Sequence, residues 1–471
     1  MNEIDDLPSS PSADPCRTVV IVGAGFSGAA TAIQLLRMAK TSLRVVLINE
    51  SGRMARGLAY GTHNNAHVLN VPAGNMSALA GDPDDFLRYC RWSDPQIQPH
   101  AFVPRRLYGA YLEALLSAAE LFGGEVARLD RVVGRVIQIR PGVPRARVLL
   151  QDGREFLADE VVLAFGHFSP RDPLSASDMA AAGVRYVSDP WRPDALAHIR
   201  PDDDVLLVGS GLTAVDVALA LSRMSHTGRL ISISRRGLAP QSHRLSGALQ
   251  GGIDGAALAA AMGNTARSYL RTLRTEVRRC RARDQDWRDV IGALRPHTSQ
   301  LWRRLTLDER KRFLRHLRSY WDVMRHRCAP AAHDVMVALK QCGQFSVFAA
   351  RLRGVTSVLD GLEVKLELRG TGALQRQQVQ VIVNCTGPTS DVLHSGSPLI
   401  EHLLDTGLIC PDPLRLGLLV GERYRTINRA GQEIPWLHYV GPLLKATEWE
   451  ATAVPELRVH AMRLAEQLVG H

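Results

Sequence analysis

Gly23, Gly25 and Gly28 lie in the run TVVIVGAGFSGAATAIQLL, where an apolar stretch (Thr18 to Val22) gives way to a helix-like segment through Arg37. Each has a mechanical reason. Gly23 permits a tight turn, Gly25 lets the backbone approach a pyrophosphate, and Gly28 lets helix and strand pack closely; the amides around Ala24, Phe26 and Ser27 then face phosphate oxygens. A second apolar run, Leu43 to Ile48, ends at Glu50, twenty-two residues after Gly28. A carboxylate there accepts hydrogen bonds from an unphosphorylated ribose, so this turn is expected to hold FAD. A glycine-rich helix entry without a ligand is the plainer alternative.

The pattern returns in DVLLVGSGLTAVDVALAL, where an apolar run opens on Gly209 and Gly211, Thr213 follows, and Ala214 stands where a third glycine would. Alanine is an accepted variant there. The next expected strand, Arg229 to Ser234, runs into Arg235 and Arg236 rather than an acid, with Arg236 twenty-two residues after Ala214. Paired guanidinium groups at a strand end suit a 2'-phosphate, so the second turn is expected to take NADPH in preference to NADH. The plainer reading is a solvated surface pair.

These turns need strands and helices to carry them. Arg131 to Leu150 and Glu155 to Phe165 read as short strands, the latter ending on Gly166, and a similar element, VQVIVNCTGP, ends near Gly387. Glycine at such an end removes the side chain that would block a dinucleotide. The expected architecture is α/β, with two Rossmann-like dinucleotide-binding domains, one inserted in the other. FAD parts occupy residues 15–170 and 375–471, and the NAD(P)H domain 171–374. Within the latter, 256–340 reads as amphipathic helices, an arginine-rich insertion.

Length and charge agree with this plan. A chain of 471 residues exceeds what one core normally serves. The net charge of +10 is concentrated, since Arg267 to Arg327 holds 18 basic and 7 acidic residues. Without an accompanying recognition module, that surplus points to solvated faces or anionic small molecules, not nucleic acid. The most apolar run, Val19 to Leu36, is broken by three glycines, so no membrane span is expected. Residues 1–14 read as a disordered acidic tail and not a secretory signal. Seven scattered cysteines without a Cys-x-x-Cys pair favour a cytoplasmic location and weigh against a metal site or a dithiol reductase.

Several longer stretches carry a resemblance: IVGAGFSG (Ile21 to Gly28), GLAYGTHNNAHVLNVPAGNMS (Gly57 to Ser77), FVPRRLYGAYL (Phe102 to Leu112), YWDVMRHRCAP (Tyr320 to Pro330) and GPLLKATEWEATAVPELRVHA (Gly441 to Ala461). In these the chain resembles bacterial FAD/NAD(P)-binding flavoproteins with two dinucleotide-binding domains, relatives of flavin-containing and N-hydroxylating monooxygenases. The resemblance implies that Asn70 to Ser77 and Gly441 to Val454 lie beside the isoalloxazine, with Phe165, Gly166 and His167 near the domain junction. Asn70, His167 and Glu450 are then candidate catalytic side chains. Plainer readings exist: His167 as a junction histidine, and Glu450 as a first-turn carboxylate of a helix expected over Glu448 to Leu468.

With no dithiol and no metal cluster motif, molecular oxygen is the economical acceptor of flavin electrons. The leading expectation is an NAD(P)H-dependent flavin monooxygenase acting on a small polar substrate, with urate hydroxylation to 5-hydroxyisourate in purine catabolism as the substrate suggested by the resemblance. Arg244, Arg325 and Arg327 are candidates to orient such a planar anion. N-hydroxylation of an amino acid or amine is the alternative enzyme. A flavin redox sensor or electron-transfer module is the alternative of another class.

Overall fold

The computed structural model describes residues 16–62, 64, 67–244 and 252–470. The acidic tail expected over residues 1–14 lies outside them, as do residues 63, 65 and 66 of the Gly57 to Ser77 motif.

The first apolar runs fold as a parallel βαβ unit: β1 (Arg17–Val22), α1 (Phe26–Met38) and β2 (Leu43–Asn49). Val19 pairs with Val45 and Val22 with Ile48. Val19, Val20 and Ile21 are fully buried, as a parallel strand covered on both faces requires. The sheet has six strands, in the order Arg425–Ile427, Glu433–Tyr439, Glu160–Leu163, β1, β2, Ala127–Val133. α1 is buried along most of its length, between this sheet and two helices, α2 (Arg105–Gly123) and the C-terminal helix Val454–Val469. A three-stranded antiparallel sheet from residues 136–158 extends this unit.

The second unit repeats the motif with β3 (Val205–Val208), α3 (Leu212–Arg223) and β4 (Leu230–Ser234). Its sheet has seven strands, with β3 flanked by β4 and by β5 (Val381–Asn384). Here the structure departs from the expected boundary at residue 375. All four residues of β5 are buried, and β3 and Tyr186–Val187 pair with its two edges, so it belongs to the second sheet. The chain re-enters the first unit only after it. The arginine-rich segment is helical from Gly255 to Gln341 and is inserted between β4 and the neighbouring strand Phe345–Val358. No helix among the described residues is long and apolar enough to cross a membrane.

Candidate functional site

The two glycine turns are nearly superimposable in kind. Gly23 has φ +106°, and a Cβ there would stand 2.8 Å from the Ala164 carbonyl oxygen; Gly209 has φ +122°, and its Cβ would stand 2.2 Å from that of Cys385. Both turns are therefore wedged against the next strand of their own sheet. A Cβ on Gly28 would lie 1.9 Å from the Gly23 carbonyl, whereas Ala214 is accommodated in the second turn and is 2% exposed. Gly25 and Gly211 are the N-caps of α1 and α3; neither helix receives a side-chain cap or carries an acid in its first turn. Two helix N-termini whose amides no side chain claims fit the pyrophosphates of two dinucleotides. Ala24, Phe26 and Ser27 are buried in the first turn and Thr213 in the second.

At the strand ends the sequence contrast persists. Glu50 follows β2 directly, is exposed, and stands 3.5 Å from Arg135. Arg235 and Arg236 follow β4 and line a cavity of about 560 Å³ together with Arg315, His316, Arg351 and Arg369. Arg236 is partly committed within the protein: it donates to the carbonyls of Arg315 (3.2 Å) and His316 (3.4 Å) and lies over the Tyr320 ring. Arg351 and Arg369 come from later strands, so no local spacing could reveal them.

The domain junction gathers residues distant in sequence. The Tyr439 hydroxyl donates to the Phe165 carbonyl and accepts from the Leu443 amide, both at 3.0 Å. Gly441 (φ +145°) makes room for it, since a Cβ would lie 2.7 Å from that oxygen. The ends of Glu160–Leu163 and Glu433–Tyr439, with Gly166 and Gly441, are thus tied together. Gly166 and Gly387 have nothing within 4 Å of a notional Cβ, leaving both strand ends open to a flat ligand. Arg105 of α2 meets Asp216 of α3 at 2.8 Å, with its Nε on the Val68 carbonyl and its guanidinium over Trp191. Burial pushes the Asp216 carboxyl up from its ordinary value, against the pull of Arg105.

A second cavity, of about 450 Å³, lies between Asn70 to Met76, Thr452 to Val454 and the helical insertion. Asn70 borders it, and its carbonyl accepts from His243 Nε2 at 2.9 Å. His167 is half-buried at the junction; burial, then the nearby Lys445, pushes it down to about 4. Glu450 is not a helix-start carboxylate, because the C-terminal helix begins at Val454 with Pro455 in its first turn. It is 3% exposed and stands 2.9 Å from Arg325. Of the three arginines suggested for an anion, Arg325 is thus engaged, Arg244 meets Asp286 (2.9 Å) and Asp289 (2.5 Å), and Arg327 borders the cavity without such a partner among the described residues. Lys445, which no spacing singles out, lies over the Trp449 ring and is pushed down to about 8 by burial and by Arg318.

Residues 20–168 match the model of the FAD-NAD(P)-binding family. No curated protein matches the chain. Among solved structures, L-lysine 6-monooxygenase from Pseudomonas syringae aligns over 96% of this chain and 98% of its own, at 17% identity and TM-score 0.63. The ornithine N-hydroxylase of Kutzneria sp. 744, with reduced FAD, NADP+ and L-ornithine, covers 96% and 99% at 16% identity and TM-score 0.62. Thioredoxin reductase from T. acidophilum covers 96% and 98% at 12% identity and TM-score 0.51. Residues 20–168 thus match a model of FAD-NAD(P)-binding proteins, and the chain shares its fold with the lysine and ornithine hydroxylases and with thioredoxin reductase.

Proposed function

We propose that the chain is an FAD-dependent monooxygenase that draws on NADPH and hydroxylates a nitrogen atom of a small polar substrate. What carries this reading is the likeness over nearly the whole length to the lysine and ornithine hydroxylases, which the reductases share more weakly. Urate hydroxylation, the substrate suggested by the sequence resemblance, receives no such support, and neither does a place in purine metabolism.

In this reading Gly23, Gly25 and the start of α1 hold the FAD pyrophosphate and Glu50 its ribose. Gly209, Gly211, Thr213 and the arginines after β4 hold NADPH. Bound FAD would supply hydride acceptance from the nicotinamide and the activation of O2. The protein's own contribution is enclosure and orientation. The helical insertion forms one wall of the junction cavity, and the Tyr439 bridge fixes the two glycine-ended strands. His167, His243 and His326 are held neutral at pH 7, so they present lone pairs or N–H groups rather than charge.

The test is oxygen uptake by the purified yellow protein with NADPH, with and without a panel of amines and amino acids, read together with product mass. A hydroxylamine one oxygen heavier than its parent supports the reading. Uptake stimulated by urate alone returns the assignment to urate. Hydrogen peroxide as sole product, or reduction that no substrate accelerates, favours a redox module.

A further inference from the structure

Among the described residues the junction cavity is bordered by five arginines: Arg244, Arg288, Arg295, Arg325 and Arg327. Four carboxylates answer four of them. Arg244 and Arg288 share Asp286, at 2.9 and 3.2 Å, and Arg244 also takes Asp289 at 2.5 Å. Arg295 holds Glu456 through two bonds of 2.6 and 2.7 Å, and Arg325 stands 2.9 Å from Glu450. His243 and His326, also on the wall, are neutral at pH 7, since burial pushes them down to about 4 and about 3. One positive charge is left over.

It sits on Arg327. Among the described residues this side chain makes no hydrogen bond or ion pair, and its Nε is sealed from solvent without a partner. Burial and the neighbouring Arg325 and Arg288, with Arg244, work against its charge, and Asp286, which Arg244 and Arg288 already share, offsets them only in part. Keeping an uncompensated guanidinium half-buried beside three others is costly, and an arriving anion removes the cost. The opposite charge type has no such place. Among the described residues Asp289 is the one acidic residue bordering the cavity, and Arg244 already occupies it.

We propose that Arg327 is the anion-recognition residue of this cavity, which takes a small organic anion, through a carboxylate or an equivalent delocalised oxyanion, and has no subsite for an ammonium group. A planar guanidinium suits such a group because it can donate two parallel bonds. A nitrogen to be hydroxylated would enter uncharged, with its lone pair free, which a net positive cavity favours. Calling the ligand the substrate rests on the oxygenase reading above; binding of an anion does not.

The test is equilibrium binding to the FAD-loaded protein, by calorimetry, of three probes: benzoate, glutarate and cadaverine. At least one anion is expected to bind and cadaverine not to compete. R327Q and R327A should weaken anion binding at least about tenfold, the loss of a charge-assisted pair, and R327K should fall between. FAD content and melting temperature are measured on each variant. Failure of both anions to bind the wild-type protein, unchanged affinity in R327Q, or tighter binding of cadaverine overturns the proposal. Loss of FAD from R327Q and R327K also overturns it, by assigning the residue to the flavin. Anion binding without any oxygenase activity would uphold this inference and sink the one before it.

Discussion

Arg105 Nη2 stands 2.8 Å from Asp216 Oδ2, joining the helix that crosses the first unit to the dinucleotide helix of the second. Both side chains are largely buried, so each charge has given up water for the other. Removing one partner strands the other: R105Q or D216N should lower unfolding stability by about 3 to 5 kcal/mol. The paired apolar replacement R105M/D216L should recover much of that loss. Denaturant midpoints of the three variants decide it, and a double variant no better than the singles would mean that the pair is not the source.

The glycine turns make separable predictions. G28A forces a Cβ to within 1.9 Å of the Gly23 carbonyl and should yield protein without bound FAD. G209A places a Cβ 2.2 Å from the Cys385 carbonyl at φ +122° and should leave the protein yellow while slowing flavin reduction by NADPH. A214G, where alanine already fits, should change coenzyme affinity little. Flavin absorbance and stopped-flow reduction read all three.

The arginines after β4 should divide. R235A is expected to raise the Michaelis constant for NADPH at least about tenfold while barely affecting NADH, the signature of lost charge-assisted bonds to a 2'-phosphate, whereas R369A should be less selective because Arg369 also donates to the Arg235 carbonyl at 3.0 Å. R236A should affect both coenzymes and the melting temperature, because Arg236 also bonds the carbonyls of Arg315 and His316. Equal effects of R235A on the two coenzymes would remove the 2'-phosphate role.

Acid should destabilise the fold through its histidines. Burial comes first in pushing His67, His167 and His243 down to about 4 and His326 to about 3, and each of the four faces an arginine or lysine. At pH values above the ordinary 6.5 these rings are neutral both folded and unfolded, and cost nothing. As pH falls from 6.5 toward about 4, the unfolded chain takes up protons that the folded chain refuses, so stability drops through that window. Denaturant midpoints against pH should show this fall, and H326Q should make it shallower. A flat profile between pH 6.5 and 5 would contradict the buried neutral rings.

Much of this was legible in the sequence, for a physical reason. β1, α1, β2 and their counterparts are short-range objects: an apolar run, a turn that only glycine makes, and a helix. Glu50 and Arg235 are found by counting because each strand has a set rise and must end at the same edge of its sheet. What escaped was long-range. The place of β5 depends on two neighbouring strands rather than on its own residues, which read equally well in either sheet. The plainer alternative for Glu450, a helix-start carboxylate, falls because the helix begins at Val454, and the partner that explains the side chain, Arg325, lies far off in the insertion. Arg351 and Arg369 reach their cavity through tertiary packing alone, and the free state of Arg327 emerges only after the other four arginines have been paired.

The basic surplus of the insertion has one more consequence. Arg315 borders the cavity beyond β4, and Arg288, Arg295, Arg325 and Arg327 border the one at the junction, so a single block of helices faces both chambers with positive potential. Such a field reaches about 10 Å into 0.1 M salt and draws anions inward before any contact forms. The same helices that border the two chambers therefore act on diffusion, gathering a polyanionic coenzyme and a small anion from solution and letting go of that advantage as ionic strength rises.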